Sequence, residues 1–461
     1  MSINDNKIDK PSKEKELKEI EENKNEIKEE NEIEKSELDA PYYSDEERNI
    51  YKIKKSSIIS EISIIKVKKN IPPNRCYLTA EYSKNNNTII CIGGSDDKCN
   101  QYNKITEYDI SKNIWNFWEC DNQSEIDFEL SGHSSNLVFL DNKEKIFIFG
   151  GYDNWKKEFT SQSYLIDIKM RNFEKINYYI SFDNNNEYPL PRTYHTSNYD
   201  KKNNLIYIYG GTDMNITHCK GENFQVLWKF NLERKIWIKI KLEINALQIK
   251  NDGPPRGHTS ILLDNKLYIF GGVTLFKKFQ NSMYIIYLQD KKLEKIDYNN
   301  DSFKKGSIPE PMAFHSAVLL NSEMIFINGG LDKQYNALNS CYIYYINKMK
   351  FDKIEISLIP NLFSHKIVMN HNKSKLYIIG GMDAFKYVGD ENLSYKIEKA
   401  QDFIFNKKKV EYFPMKNILE IKLNEENAAE DKPEGALIKE DKIKNNDRNS
   451  NKRIKWKKLF I

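Results

Sequence analysis

Five histidines recur along the chain at nearly even spacing: His133, His195, His258, His315 and His365. Imidazole is a common metal ligand and the usual general acid or base near neutral pH, so a set of metal-binding or proton-shuttling histidines is the first chemistry to weigh. Repetition argues against it, because a residue found at the same place in every copy of a unit serves the unit. His218 and His371 fall outside the pattern, and His218-Cys219 lacks the third and fourth ligands that zinc needs. The six cysteines (Cys76, Cys91, Cys99, Cys120, Cys219, Cys341) have no CxxC spacing and read as free thiols. No GxSxG elbow, HExxH helix or GxxxxGK[ST] loop is present. The expectation is a chain with no catalytic residue, no metal and no cofactor.

The elements that carry the histidines repeat with them. A short β-prone run ending in Gly-Gly occurs six times: TIICIGG, KIFIFGG, LIYIYGG, KLYIFGG, MIFINGG and KLYIIGG. The pairs are Gly93-Gly94, Gly150-Gly151, Gly210-Gly211, Gly271-Gly272, Gly329-Gly330 and Gly380-Gly381, at intervals of 57, 60, 61, 58 and 51 residues. Each histidine precedes its first glycine by 13 to 17 residues, and Tyr77 holds the comparable place in the first copy. Arginine precedes it in Arg192-Thr-Tyr-His195 and Arg256-Gly-His258, with Arg75 opening the first copy. An aspartate stands two places past the second glycine in five copies: Asp96, Asp153, Asp213, Asp332 and Asp383. Further on, Asp or Asn is followed six residues later by an aromatic, as in Asp109 to Trp115, Asp167 to Phe173, Asn231 to Trp237 and Asn406 to Tyr412. Leu293 and Phe351 take that aromatic place in copies four and five.

Arginine and histidine, a strand, Gly-Gly, a loop, a further strand and then an aromatic resemble the kelch motif, over about residues 72–415. The period agrees with the roughly 50 residues of kelch units. The resemblance implies an all-β fold, a kelch β-propeller whose four-stranded blades surround a central channel. Repeats are expected at about 72–120, 128–180, 189–242, 253–298, 309–356 and 360–415. Elementary physics points the same way: runs such as LIYIY are apolar at every position, as strands buried on both faces must be. Histidines spread around a channel would stand too far apart to share one ion.

Six blades are expected, with a degenerate seventh as the alternative. Residues 49–68 read as ring-closing strands that complete a blade with chain after Gly381. If the sixth copy supplies its own last strands, around DFIFN and VEYFPM, then 49–68 and NILEIKL at 417–423 would instead build part of a seventh. The propeller domain is thus placed at 46–423. Residues 1–45 form an acidic, Lys/Glu-rich tail expected to be disordered, and 424–461 a second charged tail with a basic end. The first 39 residues carry 14 acidic side chains against 8 lysines, whereas 448–461 carry six basic side chains and no acid. Over the whole chain the net charge is only +4, which gives no general bias toward nucleic acid. No apolar run is long enough to span a membrane, and the N-terminal residues lack a secretory hydrophobic stretch, so a reducing, cytoplasmic location is expected, with the nucleus open.

The loops after Gly-Gly carry the candidate binding residues, because propeller loops cluster at one face of a rigid scaffold. Copies two, four and six place an aromatic and a lysine there: Trp155-Lys156, Phe276-Lys277 and Phe385-Lys386. The fifth adds Gln334-Tyr335. These eight residues form a candidate rim for a protein or an acidic peptide, with aromatics as anchors and lysines steering charge. Their competing role is to fold inward and seal neighbouring blades. The reading is a non-catalytic interaction module or scaffold. Its alternatives are a kelch-type enzyme with a metal at the channel and a substrate adaptor for a ubiquitin ligase.

Overall fold

The six Gly-Gly runs are the second strands of six antiparallel sheets: Thr88–Ile92, Lys143–Phe149, Leu205–Tyr209, Lys266–Phe270, Met324–Asn328 and Lys375–Ile379. The computed structural model describes residues 48–52, 58–96, 105–118, 129–177 except 154, 187–212, 226–244, 255–298 except 275, 276 and 297, 308–382 except 357, and 415–424. Among them there is no helix, and the charged tails lie outside them apart from Asn424. They all fall within one compact unit, Met1–Ala429.

The innermost strands are Thr79–Ser83, Ser134–Leu140, Thr196–Asp200, Thr259–Leu263, Ser316–Asn321 and Lys366–Met369. Each lies beside the innermost strand of the next sheet, and Lys366–Met369 lies beside Thr79–Ser83, so the sheets form a closed cycle. Within the first five sheets the strands follow one another in chain order, each antiparallel to the last. The fourth carries an added short strand, Glu243–Ile244, parallel to Lys292–Lys295.

The core lies between the sheets. In Thr88–Ile92 every residue is buried. Ile90 and Ile92 pack with Ile146, Ile148 and Ile166 of the second sheet, while Ile89 and Cys91 pack on the other side with Tyr377, Ile379 and Ile418 of the sixth. Alternate side chains of a strand point to opposite faces, so a strand between two neighbours must be apolar at each position. The remaining interfaces follow the same rule, ending with Phe326, Cys341 and Ile343 of the fifth sheet against Leu376, Ile378 and Leu419 of the sixth. The Asp/Asn-to-aromatic spacing has a local cause. Asp109, Asp167 and Asn231 each accept a hydrogen bond through Oδ1 from the backbone N–H three residues on, which fixes the turn. The chain then re-enters the sheet with Trp115, Phe173 or Trp237 buried.

The sixth sheet is built from both ends of the propeller sequence. Its order is Lys366–Met369, Lys375–Ile379, Asn417–Leu423, Ile59–Lys66 and Arg48–Lys52. The third and fourth places expected for DFIFN and VEYFPM are therefore taken by NILEIKL and the N-terminal strand, and these do not form a separate sheet. DFIFN and all of VEYFPM except its last residue, the buried Met415, lie outside the described residues. Ile62 pairs with Ile421 and Ile64 with Leu419, and the N-terminal strand carries Ile62 into the interface with the fifth sheet and Ile65 into the interface with the first. A fully buried side chain of this size contributes about 1.5–3 kcal/mol, so the N-terminal strand closes the ring with several such contributions.

Ile62 is fully buried at that closure. Ile62→Ala is expected to lower stability by about 2–5 kcal/mol, read from the shift in the urea unfolding midpoint at constant slope. A shift no larger than that of a surface substitution would mean that the N-terminal strand contributes little to closing the ring.

Candidate functional site

Four of the five recurrent histidines bridge two repeats by a hydrogen bond. His133 Nε2 hydrogen-bonds the Thr79 hydroxyl of the preceding repeat at 2.9 Å, His195 that of Ser134 at 2.8 Å, His258 that of Thr196 at 2.9 Å and His315 that of Thr259 at 2.9 Å. The other edge of each ring lies on the Gly-Gly turn of the preceding repeat. A Cβ on Gly210 would stand 2.6 Å from His258 Cε1 and 2.6 Å from the Pro255 carbonyl oxygen, and the residue has φ +68°. Only glycine accepts that approach and that backbone together. The same contact, glycine against the next histidine, recurs at Gly93, Gly150, Gly271 and Gly329.

At Gly380 the side chain in that place is Leu78, not Tyr77. The first repeat therefore replaces histidine with leucine, and the expectation for Tyr77 is corrected by one residue. Tyr77 corresponds instead to the residue just before each histidine: Gly132, Tyr194, Gly257, Phe314 and Ser364. Arginine also divides into two roles. Arg75 and Arg192 each donate to the carbonyl oxygen of their own first glycine, at 3.0 and 3.1 Å. Arg256 stands one place later in its repeat, paired as an isolated bridge with Val273, as Thr193 pairs with Thr212. Burial holds its guanidinium below the usual range, beside Tyr194, Tyr335 and Tyr77.

The six residues at the Tyr77 position form a closed ring of backbone hydrogen bonds around the channel. The N–H of Gly132 donates to Tyr77 O, Tyr194 to Gly132, Gly257 to Tyr194, Phe314 to Gly257, Ser364 to Phe314 and Tyr77 to Ser364, at 2.6–3.2 Å. All six have left-handed backbones, with φ between +54° and +64°. Large and small side chains alternate around this ring. Tyr77, Tyr194 and Phe314 meet on the axis with centroids 5.2–5.8 Å apart, mostly edge to face, which is the favoured arrangement for aromatic rings. They plug the channel. The alternation was legible in the residue preceding each histidine, but its meaning depends on the ring bringing copies one, three and five together.

On the side of the plug toward the inner strands, the channel holds a cavity of about 280 Å³. Its wall is rich in hydroxyls, including Ser135, Ser197 and Ser260, with one acidic and one basic side chain, Glu81 and Lys366, from neighbouring inner strands. Glu81 accepts a 2.6 Å hydrogen bond from the Ser135 hydroxyl. Burial raises the Glu81 carboxyl and lowers the Lys366 ammonium, and the opposite charge of each eases the other's shift. Among the described residues, no three His, Cys, Asp or Glu side chains come together as a metal site.

The candidate rim residues lie on the Gly-Gly loops. Asp153 Oδ1 accepts from the N–H groups of Trp155 and Lys156 at 3.0 and 3.1 Å, and its other oxygen pairs with the Lys156 ammonium at 3.4 Å. Trp155 itself is 69% exposed. Asp332 accepts likewise from Gln334 and Asn336, while in the fourth loop Thr274 O takes the Lys277 N–H. Gln334 and Lys277 are exposed. Tyr335 is half-buried and packs edge-on against Phe279 of the fourth loop at 5.5 Å, so part of its surface joins two loops. Phe276, Phe385 and Lys386 lie outside the described residues.

A ring of sheets bearing these repeats is a kelch propeller, and comparison with known proteins agrees. Residues 132–381, more than half of the chain, match the family model described as the KLHDC2/KLHL20/DRC7 Kelch-repeats domain, and the chain belongs to the kelch-repeat family. It is similar to human Kelch domain-containing protein 1, 24% identical over 257 residues that cover 52% of this chain and 58% of that protein. Mei4-dependent protein 6 of Schizosaccharomyces pombe is 22% identical over 325 residues, 65% of this chain and 44% of that protein. Human Host cell factor 2 is 30% identical over 171 residues, 33% of this chain and 20% of that protein. The matched part spans less than two thirds of each relative's length.

The buried histidines make the ring sensitive to acid. Burial first, with nearby positive charge at some positions, lowers His133, His315 and His365 to about 3 and His258 to about 4 from an ordinary 6.5. The unfolded chain thus binds more protons below that ordinary value, so stability is complete above about pH 6.5 and falls as the pH drops toward 4. Each histidine steepens that loss by up to about 1.4 kcal/mol per pH unit. His258→Leu, which copies Leu78, is expected to flatten the difference in urea stability between pH 7 and pH 4.5 relative to the native chain. An unchanged pH dependence would show that His258 titrates normally in the folded protein.

Proposed function

We propose that the propeller is a non-catalytic interaction module that captures a protein or an acidic or phosphorylated peptide on its Gly-Gly-loop face. The observation that carries this reading is Trp155, 69% exposed beside Lys156 on a turn held by Asp153. Large exposed aromatics on rigid loops are the side chains that dominate interface energies, because they bury much area at little entropic cost. Lysines beside them steer an acidic partner and act chiefly on the rate of encounter. Lys277 and Gln334 continue the polar part of the same set of loops. Cys76, Cys91 and Cys341 are buried thiols outside any disulfide, and burial pushes the Cys91 and Cys341 thiols up to about 12. Such inert thiols suit the reducing cytoplasm as the site of action. Among the described residues, no helix is long and apolar enough to cross a membrane.

The test is a pulldown from native cells, comparing the native chain with Trp155→Ala and with Trp155→Ala/Phe276→Ala/Phe385→Ala, each checked for folding by thermal unfolding. Trp155→Ala is expected to weaken the partner by about 2 kcal/mol, roughly 30-fold, with no loss of stability. Lys156→Ala should mainly reduce the on-rate and its salt dependence. A partner set unchanged by the folded triple variant would overturn the reading and move attention to the opposite face.

A further inference from the structure

We propose that the channel cavity is a binding site for a small zwitterion, a molecule the size of a free amino acid, whose carboxylate meets Lys366 and whose ammonium group meets Glu81. The site is separate from the loop face and does not depend on it.

The first observation is a break in the hydrogen-bond pattern of the ring. In four repeats the histidine Nε2 is bonded to the hydroxyl of the preceding repeat. Ser316 is placed to do this for His365, but its oxygen instead accepts the Ile367 N–H at 3.1 Å. His365 Nε2 and Ser364 Oγ are left with no hydrogen-bond partner, in side chains that are only 2% and 9% exposed. Lys366 follows directly, and no hydrogen bond or ion pair holds its ammonium among the described residues. Ser364, His365 and Lys366 all line the cavity. A buried polar group without a partner is costly, and two such side chains in succession, followed by the unbonded Lys366 ammonium, point to a ligand that completes them.

Charge identifies the class of that ligand. Lys366 and Glu81 come from inner strands that lie side by side, and they are the only cation and anion of side chains lining the cavity, the histidines being held neutral by burial. A simple anion would satisfy Lys366 but face Glu81, and a simple cation would do the reverse. A neutral polyol would bring no opposite charge to either group. A molecule carrying both charges meets both. The volume, about 280 Å³, falls at the lower end for ligand pockets, and the plug closes one end, so the ligand is small. Ala80, Ala317 and Ile367 add apolar wall for a short side chain.

The experiment is calorimetric titration of the full chain with glycine, alanine and valine, alongside acetate and methylamine as single-charge analogues and trialanine as a longer chain with the same end groups. Alanine is expected to bind at least about tenfold more tightly than acetate or methylamine, the effect of one charged hydrogen-bonding group. Lys366→Met should abolish binding while urea unfolding shows the ring intact. Ser364→Ala, a smaller change, should weaken it. In Glu81→Gln the advantage of alanine over acetate should disappear, and Trp155→Ala should leave alanine binding unchanged. Acetate binding as well as alanine, no amino acid binding at millimolar concentration, or binding untouched by Lys366→Met would each overturn the proposal. Trialanine binding more tightly than any free amino acid would also overturn it and assign the cavity to a peptide end.

Discussion

Six backbone hydrogen bonds, running residue to residue from Tyr77 through Gly132, Tyr194, Gly257 and Phe314 to Ser364 and back, link every repeat to the next around the channel. A closed cycle of bonds has no free end, so the position of each sheet is set by both neighbours at once. The left-handed backbone at all six members is the local condition for this ring, because it turns each N–H toward one neighbour and leaves each carbonyl for the other. Immediately outside it, the histidines and the Gly-Gly turns lock adjacent repeats side chain to backbone. Farther out, the apolar faces of the second and third strands fill the spaces between sheets. Strength grows outward through buried area, whereas geometry is fixed at the axis.

The same ring explains why the repeats can differ where they do. Side chains at its six positions all point toward one narrow channel, and six large ones could not fit there. Three aromatics alternating with two glycines and a serine fill the axis; a Cβ on Gly257 would stand 2.9 Å from the Phe314 ring. The plug separates the loop face from the hydroxyl-lined cavity. One molecule thus presents two chemically unlike environments, a loop face that carries the exposed Trp155 beside Lys156 and a polar channel cavity with one side chain of each charge.

The sixth sheet is where the repetition is least strict, for a topological reason. This ring is closed by a sheet that contains strands from both ends of the propeller sequence, in which Ile59–Lys66 pairs with Asn417–Leu423. The long stretch between Gly381 and Asn417 relaxes the spacing of that repeat, and Ser364-His365-Lys366, at the start of its inner strand, take the place of the combinations seen elsewhere. Departures from a repeat cost least at a point where the repeat is already interrupted, and the unusual polar residues of the channel are found there.

The sequence alone determined everything that depends on neighbouring residues. Apolar runs such as LIYIY specified strands buried on both faces, Gly-Gly marked the turns that only glycine can make, and Asp109, Asp153 and Asp332 announced the loops whose N–H groups they hold. The resemblance of the repeats to kelch units then implied a propeller, and sheets with two apolar faces, which must stack on one another, agreed with it. The tertiary structure decided what depends on residues far apart in the chain: which strands complete the sixth sheet, that Leu78 rather than Tyr77 stands in for histidine, and that Tyr77, Tyr194 and Phe314 meet on the axis. It also brought Glu81 beside Lys366. Local preference sets the conformation of a segment, but strand pairing and channel contacts are chosen by the closure of the ring, and that constraint acts only when the whole chain is folded.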